Sequence, residues 1–119
     1  MDYERNKKLI SVLNECAAEC HHCTTACLDE QDVKMLAECI KLDIDCAEIC
    51  QLTAAFLARG SEHAIHILKE CAEICEACAG ECGKHGHMEH CKRCAEVCRQ
   101  CAEECMAVLH ENVFALKRN

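Results

Sequence analysis

Apolar and polar positions recur along this chain with a helical beat, in four blocks. In the first block, residues 4–28, the apolar or thiol positions are Leu9, Val12, Leu13, Cys16, Cys20, Cys23 and Cys27. Spacings of three and four put them on one face of an α-helix. The same beat returns over residues 33–59, 62–82 and 87–117. Asp29-Glu30-Gln31-Asp32 interrupts the first two blocks, and Asp32 suits the N-cap of the second helix. Gly60 suits the residue just past a helix end and Ser61 the N-cap of the next. Gly83-Lys84-His85-Gly86 makes the third connection. Long helices joined by short loops pack as antiparallel neighbours. The expected fold is therefore all-α: one domain over residues 1–119, an up-down-up-down four-helix bundle.

The inward face is unusual in what it carries. The chain reads CAAEC at 16–20, CAEIC at 46–50 and again at 71–75, CAEVC at 94–98 and CAEEC at 101–105. At 100° per residue, Cys16, Cys20, Cys23 and Cys27 fall within about 60° of arc, and Cys71, Cys75, Cys78 and Cys82 repeat that spacing. Cys39, Cys46 and Cys50 span about 40°, and Cys91, Cys94, Cys98, Cys101 and Cys105 about 80°. All sixteen cysteines lie on these four stripes. The glutamate in the middle of each CAExC, Glu48, Glu73, Glu96 and Glu103, falls on the opposite, water-facing side. The pattern CAxxCxxCxxxC in both the first and third helices makes the chain two related hairpins.

The stripes turn apolar toward one pole. Leu9, Val12 and Leu13, Phe56 and Leu57, Ala64, Ile67 and Leu68, and Val108, Leu109 and Leu116 meet there in an antiparallel bundle and form a hydrophobic plug. The other pole gathers His85, His87, Met88 and His90, with Met35 expected in the stripe of Cys39 and His87 in that of Cys91. Asp43 sits about 40° from Cys39. A carboxylate so close to the core is costly unless bonded or metal-bound, so surface placement is expected. His21, His22 and His110 fall off the stripes, Met106 beside one, and His63 and His66 belong with the plug; none of these is a ligand candidate.

Composition and charge narrow the chemistry. There is no proline, aromatic residues make up 3%, and the formal net charge is −8. An acidic surface argues against nucleic acid and anionic membranes as partners, and no apolar run approaches the ~18 residues of a membrane span. The N-terminus, MDYERNKKLISVLNEC, has no signal-peptide pattern, which places the chain in the cytoplasm. Dense cysteine in a reducing compartment points to metal.

Other uses of sixteen thiols fit less well. An all-cysteine core buries less apolar area than leucine would. Residues four apart on a helix have nearly parallel Cα–Cβ bonds, poor for a disulfide. The C-x2-C-x2-C-x3-C-P run of an iron–sulfur protein is missing, and one continuous helix cannot wrap a cube. A thiol redox enzyme would need an exposed, low-pKa cysteine at a helix N-terminus, which only Cys91 approaches. Soft thiolates select Cu(I) or zinc. One monovalent ion per thiolate leaves the core neutral, whereas zinc on four thiolates leaves −2 per site in a low-dielectric tube. Multiple Cu(I) ions per chain are therefore expected, and a zinc- or cadmium-buffering, metallothionein-like protein is the alternative. No general base, open coordination site or substrate pocket suggests an enzyme.

The stretches CIKLDIDCAEICQL, ECAEICEACAGECGKHGHMEHC and CAEVCRQCAEEC resemble the bacterial copper storage protein family, in particular its cytosolic branch. The resemblance covers roughly residues 10–107. It implies a bundle that stores or sequesters many Cu(I) ions and assembles as a homotetramer. It also implies that CxxxC pairs (Cys16/Cys20, Cys23/Cys27, Cys46/Cys50, Cys71/Cys75, Cys78/Cys82, Cys94/Cys98, Cys101/Cys105) bind Cu(I), with His87 or His90 helping to admit it. Relatives it resembles carry further cysteines early in the first helix, where this chain has Leu9, Val12 and Leu13, and Thr53 stands where another thiol would fit in the second. Both departures imply a longer plug and a smaller capacity.

Overall fold

The computed structural model describes the backbone of residues 3–118 and the side chains of residues 3–112. Its helices are α1 (Lys7–Leu28), α2 (Ala37–Ala58), α3 (Ala64–Gly83) and α4 (Glu89–Arg118), with a 3₁₀ turn over Val33–Leu36 leading into α2. Each helix packs on two neighbours, in the cyclic order α1, α2, α3, α4. The result is a four-helix bundle in a rod of 54 × 22 × 18 Å. α4 is the longest helix, at 30 residues, against 22, 22 and 20 for the others.

The connections obey local chemistry, with shifts of register. Gly60 has φ 64°, the left-handed conformation that glycine adopts without penalty. The Ser61 N–H donates to the Phe56 carbonyl at 3.0 Å and the Gly60 N–H to that of Leu57 at 3.1 Å. This crossed pair satisfies the last carbonyls of α2. Ser61 does not cap α3 as expected. Its hydroxyl accepts from the His63 N–H at 3.1 Å, and the helix begins only at Ala64. Asp32 makes no side-chain cap either: the chain enters α2 through a tighter 3₁₀ turn. Three residues per turn instead of 3.6 rotate the side chains there. Met35 is consequently 51% exposed, not in the stripe of Cys39, and Leu36 is the residue buried at this pole.

The plug is where the periodicity puts it. Leu9, Leu13, Leu57, Ala64 and Leu68 are buried at one pole, with Val12, Phe56, Val108 and Leu109 packed partly buried around them. Leu116 lies outside the residues whose side chains are described. The alanine following the first thiol of each repeat (Ala17, Ala47, Ala72, Ala95, Ala102) is also buried, and its small side chain lets the neighbouring helix come close.

Candidate metal centre

All sixteen cysteines are free thiols and each is fully buried. The helical beat alone accounts for their direction, because every stripe faces the bundle axis. What the beat leaves open is how the stripes mesh. Along the helices, the i, i+4 sulfurs of Cys23/Cys27, Cys46/Cys50, Cys71/Cys75, Cys78/Cys82 and Cys94/Cys98 lie 3.8–4.0 Å apart. Between neighbouring helices the sulfurs are as close. Cys20 Sγ lies 3.5 Å from Cys98, Cys46 lies 3.6 Å from Cys75, and Cys50 lies 3.8 Å from Cys71. Contacts even cross the diagonal, with Cys46 on α2 4.0 Å from Cys98 on α4. Cys39 and Cys82 approach to 3.0 Å where α2 begins and α3 ends.

These contacts assemble into overlapping groups whose ligand atoms all lie within 4.8 Å of one another. Among them are Cys16/Cys46/Cys50/Cys75, Cys16/Cys20/Cys46/Cys98 and Cys20/Cys78/Cys94/Cys98, and, nearer the mouth, Cys23/Cys39/Asp43/Cys82 and Cys23/Cys27/His90/Cys91. Cys16, Cys46, Cys20, Cys98 and Cys23 each belong to two of these groups. The sulfurs therefore form a continuous ladder rather than separate cages. Cys71, Cys101 and Cys105 carry it down to the plug.

Asp43 is the residue whose placement the spacing misjudged. It is fully buried instead of facing water. Its Oδ1 accepts from Cys78 and Cys94 at 3.2 Å and from Cys82 at 3.4 Å, and its Oδ2 from Cys39 at 3.8 Å. The buried arc of α2 is wide because thiols from three helices converge on it, so a side chain about 40° off the stripe is still inside. Burial pushes the Asp43 carboxyl up to about 10. It is therefore neutral at physiological pH. Burial likewise pushes the Cys91 thiol up to about 11 and holds Cys27 up. Deeper in, the thiols are coupled by shared S–H···S contacts, and burial works against ionising every one of them. A cation that binds a thiol there displaces its proton.

The mouth separates the histidines. His90 on the first turn of α4 has its Nδ1 3.5 Å from Cys91 Sγ, 3.7 Å from Cys23 and 3.8 Å from Cys27. His87 precedes α4, which starts at Glu89, so it does not extend the stripe of Cys91; it is exposed. His85 is buried, but its ring meets Glu81 Oε2 at 3.3 Å rather than a thiol. Met88 is half-buried against the core. His21, His22 and His110 are exposed, as the stripes imply, and so are His63 and His66, which do not join the plug. Met106 is 55% exposed and packs less than its position beside a stripe suggested. No helix among the described residues is long and apolar enough to cross a membrane.

Known proteins share this fold. Residues 2–110 match the family model described as copper storage protein. The chain is 45% identical over 78 residues to an uncharacterized cysteine-rich protein, YhjQ, of Bacillus subtilis, covering 66% of this chain and 71% of that one. It superposes on a cytosolic copper storage protein of Streptomyces lividans carrying five coppers with a TM-score of 0.87 and 40% identity, over 92% of this chain and 95% of that one. It superposes on the apo copper storage protein 3 of Bacillus subtilis with a TM-score of 0.82 and 41% identity, over 87% of this chain and 98% of that one. With its bundle, its buried thiol ladder and the match along almost its whole length, this chain belongs to the copper storage protein family.

Proposed function

We propose that this protein stores Cu(I) inside the bundle, as many ions held by the sixteen cysteine thiolates. His90 is the nitrogen ligand at the mouth, and the plug closes the far end. The observation that carries the reading is the shared membership of the sulfur groups. Cys16, Cys20, Cys46 and Cys98 each serve two groups, so filling the ladder requires bridging thiolates. Two-coordinate ions suit this. A linear ion with metal–sulfur bonds of ~2.3 Å needs its sulfurs ~4.6 Å apart, less than 1 Å beyond the 3.8–4.0 Å found in the i, i+4 pairs. Charge suits it as well, since one Cu(I) for each proton lost leaves the tube neutral.

One observation favours zinc as a second reading. A tetrahedral ion with ~2.3 Å bonds has a sulfur–sulfur edge of ~3.8 Å, and Cys46, Cys50 and Cys75 already stand 3.6–3.9 Å apart. Four unshared thiolates per divalent ion, however, bury two excess negative charges per site. Titration of the reduced protein with Cu(I) against a competing chelator tests the primary reading. Loading approaching one Cu(I) per thiol is expected, and saturation at a few ions per chain overturns it. A zinc load retained against Cu(I) would establish the second reading instead.

The protein acts on this reading as a cytoplasmic store rather than an enzyme. Family resemblance and the exposed Ile44, Leu52 and Met106 support assembly as a homotetramer. No nucleic acid or membrane partner is proposed, and a copper chaperone or client remains the natural protein partner.

A further inference from the structure

We infer that Glu30 is a positioning residue for His90, holding the imidazole so that Nδ1 faces the mouth thiols. The inference rests on the proposed role of His90 at the mouth. Glu30 lies two residues beyond the end of α1, and its N–H donates to the Cys27 carbonyl at 3.1 Å. That bond folds the connection back over the thiol ladder and brings a carboxylate from the α1 side to the first turn of α4. Glu30 Oε2 lies 3.2 Å from His90 Nε2. The His90 side chain is 15% exposed and that of Glu30 37%.

A neutral imidazole carries one N–H, and the nitrogen that donates it leaves the other as a lone-pair acceptor. A carboxylate can only accept, so the pair with Glu30 places the N–H on Nε2. Nδ1 is then the bare nitrogen, and it is the one 3.5–3.8 Å from Cys91, Cys23 and Cys27. In that state it accepts from a thiol when the tube is empty and is oriented to meet an incoming soft cation. In the other tautomer the N–H would sit on Nδ1 and face the thiols, and the Nε2 lone pair would face the Glu30 carboxylate, lone pair against lone pair. The Glu81–His85 pair at the same pole has the same chemistry between the last turn of α3 and the connection just after it, but there the ring meets Glu81 rather than a thiol. Glu30 acts from a different element, and only through it is the ring fixed from both sides. A carboxylate behind a metal-binding histidine orients the ring and raises its basicity, and losing one commonly costs 10–100-fold.

The test has an arm without copper and an arm with it. In the reduced apo protein, ¹⁵N NMR of the His90 ring is expected to show a single Nε2–H form. Glu30→Ala should mix the two ring states, and Glu30→Gln, whose amide oxygen still accepts, should restore the single form. In the copper arm, Glu30→Ala should slow uptake of the first Cu(I) equivalents by about tenfold with capacity unchanged. It should have no further effect in a His90→Ala background. A Glu30→Ala ring spectrum identical to the parent overturns the inference. So does an equal slowing in the His90→Ala background, which would mean that Glu30 acts by its charge alone. If the chain took up no copper at all, the proposed function would fail while the ring spectrum still decided the role of Glu30.

Discussion

The two ends of the bundle use the same helix faces for different purposes. At the plug the inward positions carry Leu13, Leu57 and Leu68, each with no exposed surface. One or two turns away the same stripes carry Cys16, Cys50 and Cys71, buried just as completely. Burying a leucine contributes about 1.5–3 kcal/mol relative to leaving it in water, and a thiol offers less apolar area. The plug therefore holds the metal-free bundle together, while the thiol tract keeps soft donors at ion-bridging distances. Polar groups follow the same division. The plug end buries Thr53, whose hydroxyl donates to the Ile49 carbonyl of its own helix at 2.7 Å. The thiol end buries Asp43 among four thiols and seats His90 at the rim.

The contrast can be broken first by stability. Leu68→Ala should cost the reduced apo protein about 2–5 kcal/mol, since it opens a cavity in the plug. Cys98→Ala, which removes one sulfur from the ladder, should cost about half of that or less. Urea unfolding of both variants decides it. Equal losses would mean that the thiol tract contributes as much to folding as the plug.

A smaller effect sharpens the thiol end. The Asp43 carboxyl stands at about 10 in the folded chain against 3.8 ordinarily. Between pH 5 and 8 the folded state keeps a proton that the unfolded state has released. Stability therefore falls as pH rises across that window, by up to about 1.4 kcal/mol per pH unit. Asp43→Asn should remove this slope and leave the apo protein more stable at pH 7.5 than the parent. Unfolding midpoints at pH 5.5 and 7.5 measure it, and an unchanged slope would mean that the carboxyl is ionised among the thiols.

The smallest effect concerns the rim alone. His90→Ala should slow Cu(I) uptake about tenfold without lowering capacity by more than one ion. His87→Ala, which removes an exposed ring, should stay within about twofold of the parent. Stopped-flow mixing with a Cu(I)–chelator complex reads both. Equal slowing by the two variants would restore His87 as a partner in admission.

How far the sequence reaches differs from residue to residue. Cys16, Cys20, Cys23 and Cys27 were legible as one inward face because spacing fixes direction around a helix's own axis. So were the water-facing Glu48, Glu73, Glu96 and Glu103, all exposed. Met35 was misplaced because a 3₁₀ turn winds more tightly than the helix assumed for it. His87 and His90 could not be separated without knowing that α4 starts at Glu89, and a boundary error of two residues turns a side chain by about 200°. The alanine of each CAxxC carried a signal that went unread: a small residue at a fixed offset from the thiol, where helices approach.

The sequence by itself determined that four amphipathic helices close on one axis and that every sulfur faces it. Periodicity is a local property, and sixteen cysteines on four narrow stripes leave no other interior. Only the tertiary structure decided which sulfurs meet, as with Cys39 and Cys82 at 3.0 Å or Cys46 and Cys98 across the diagonal. It also decided that Asp43 lies inside and that Glu30 reaches His90. Those outcomes depend on the rotation of each helix about its axis and its shift against its neighbours. Packing of all four helices together sets both quantities, and no single stretch of chain encodes either.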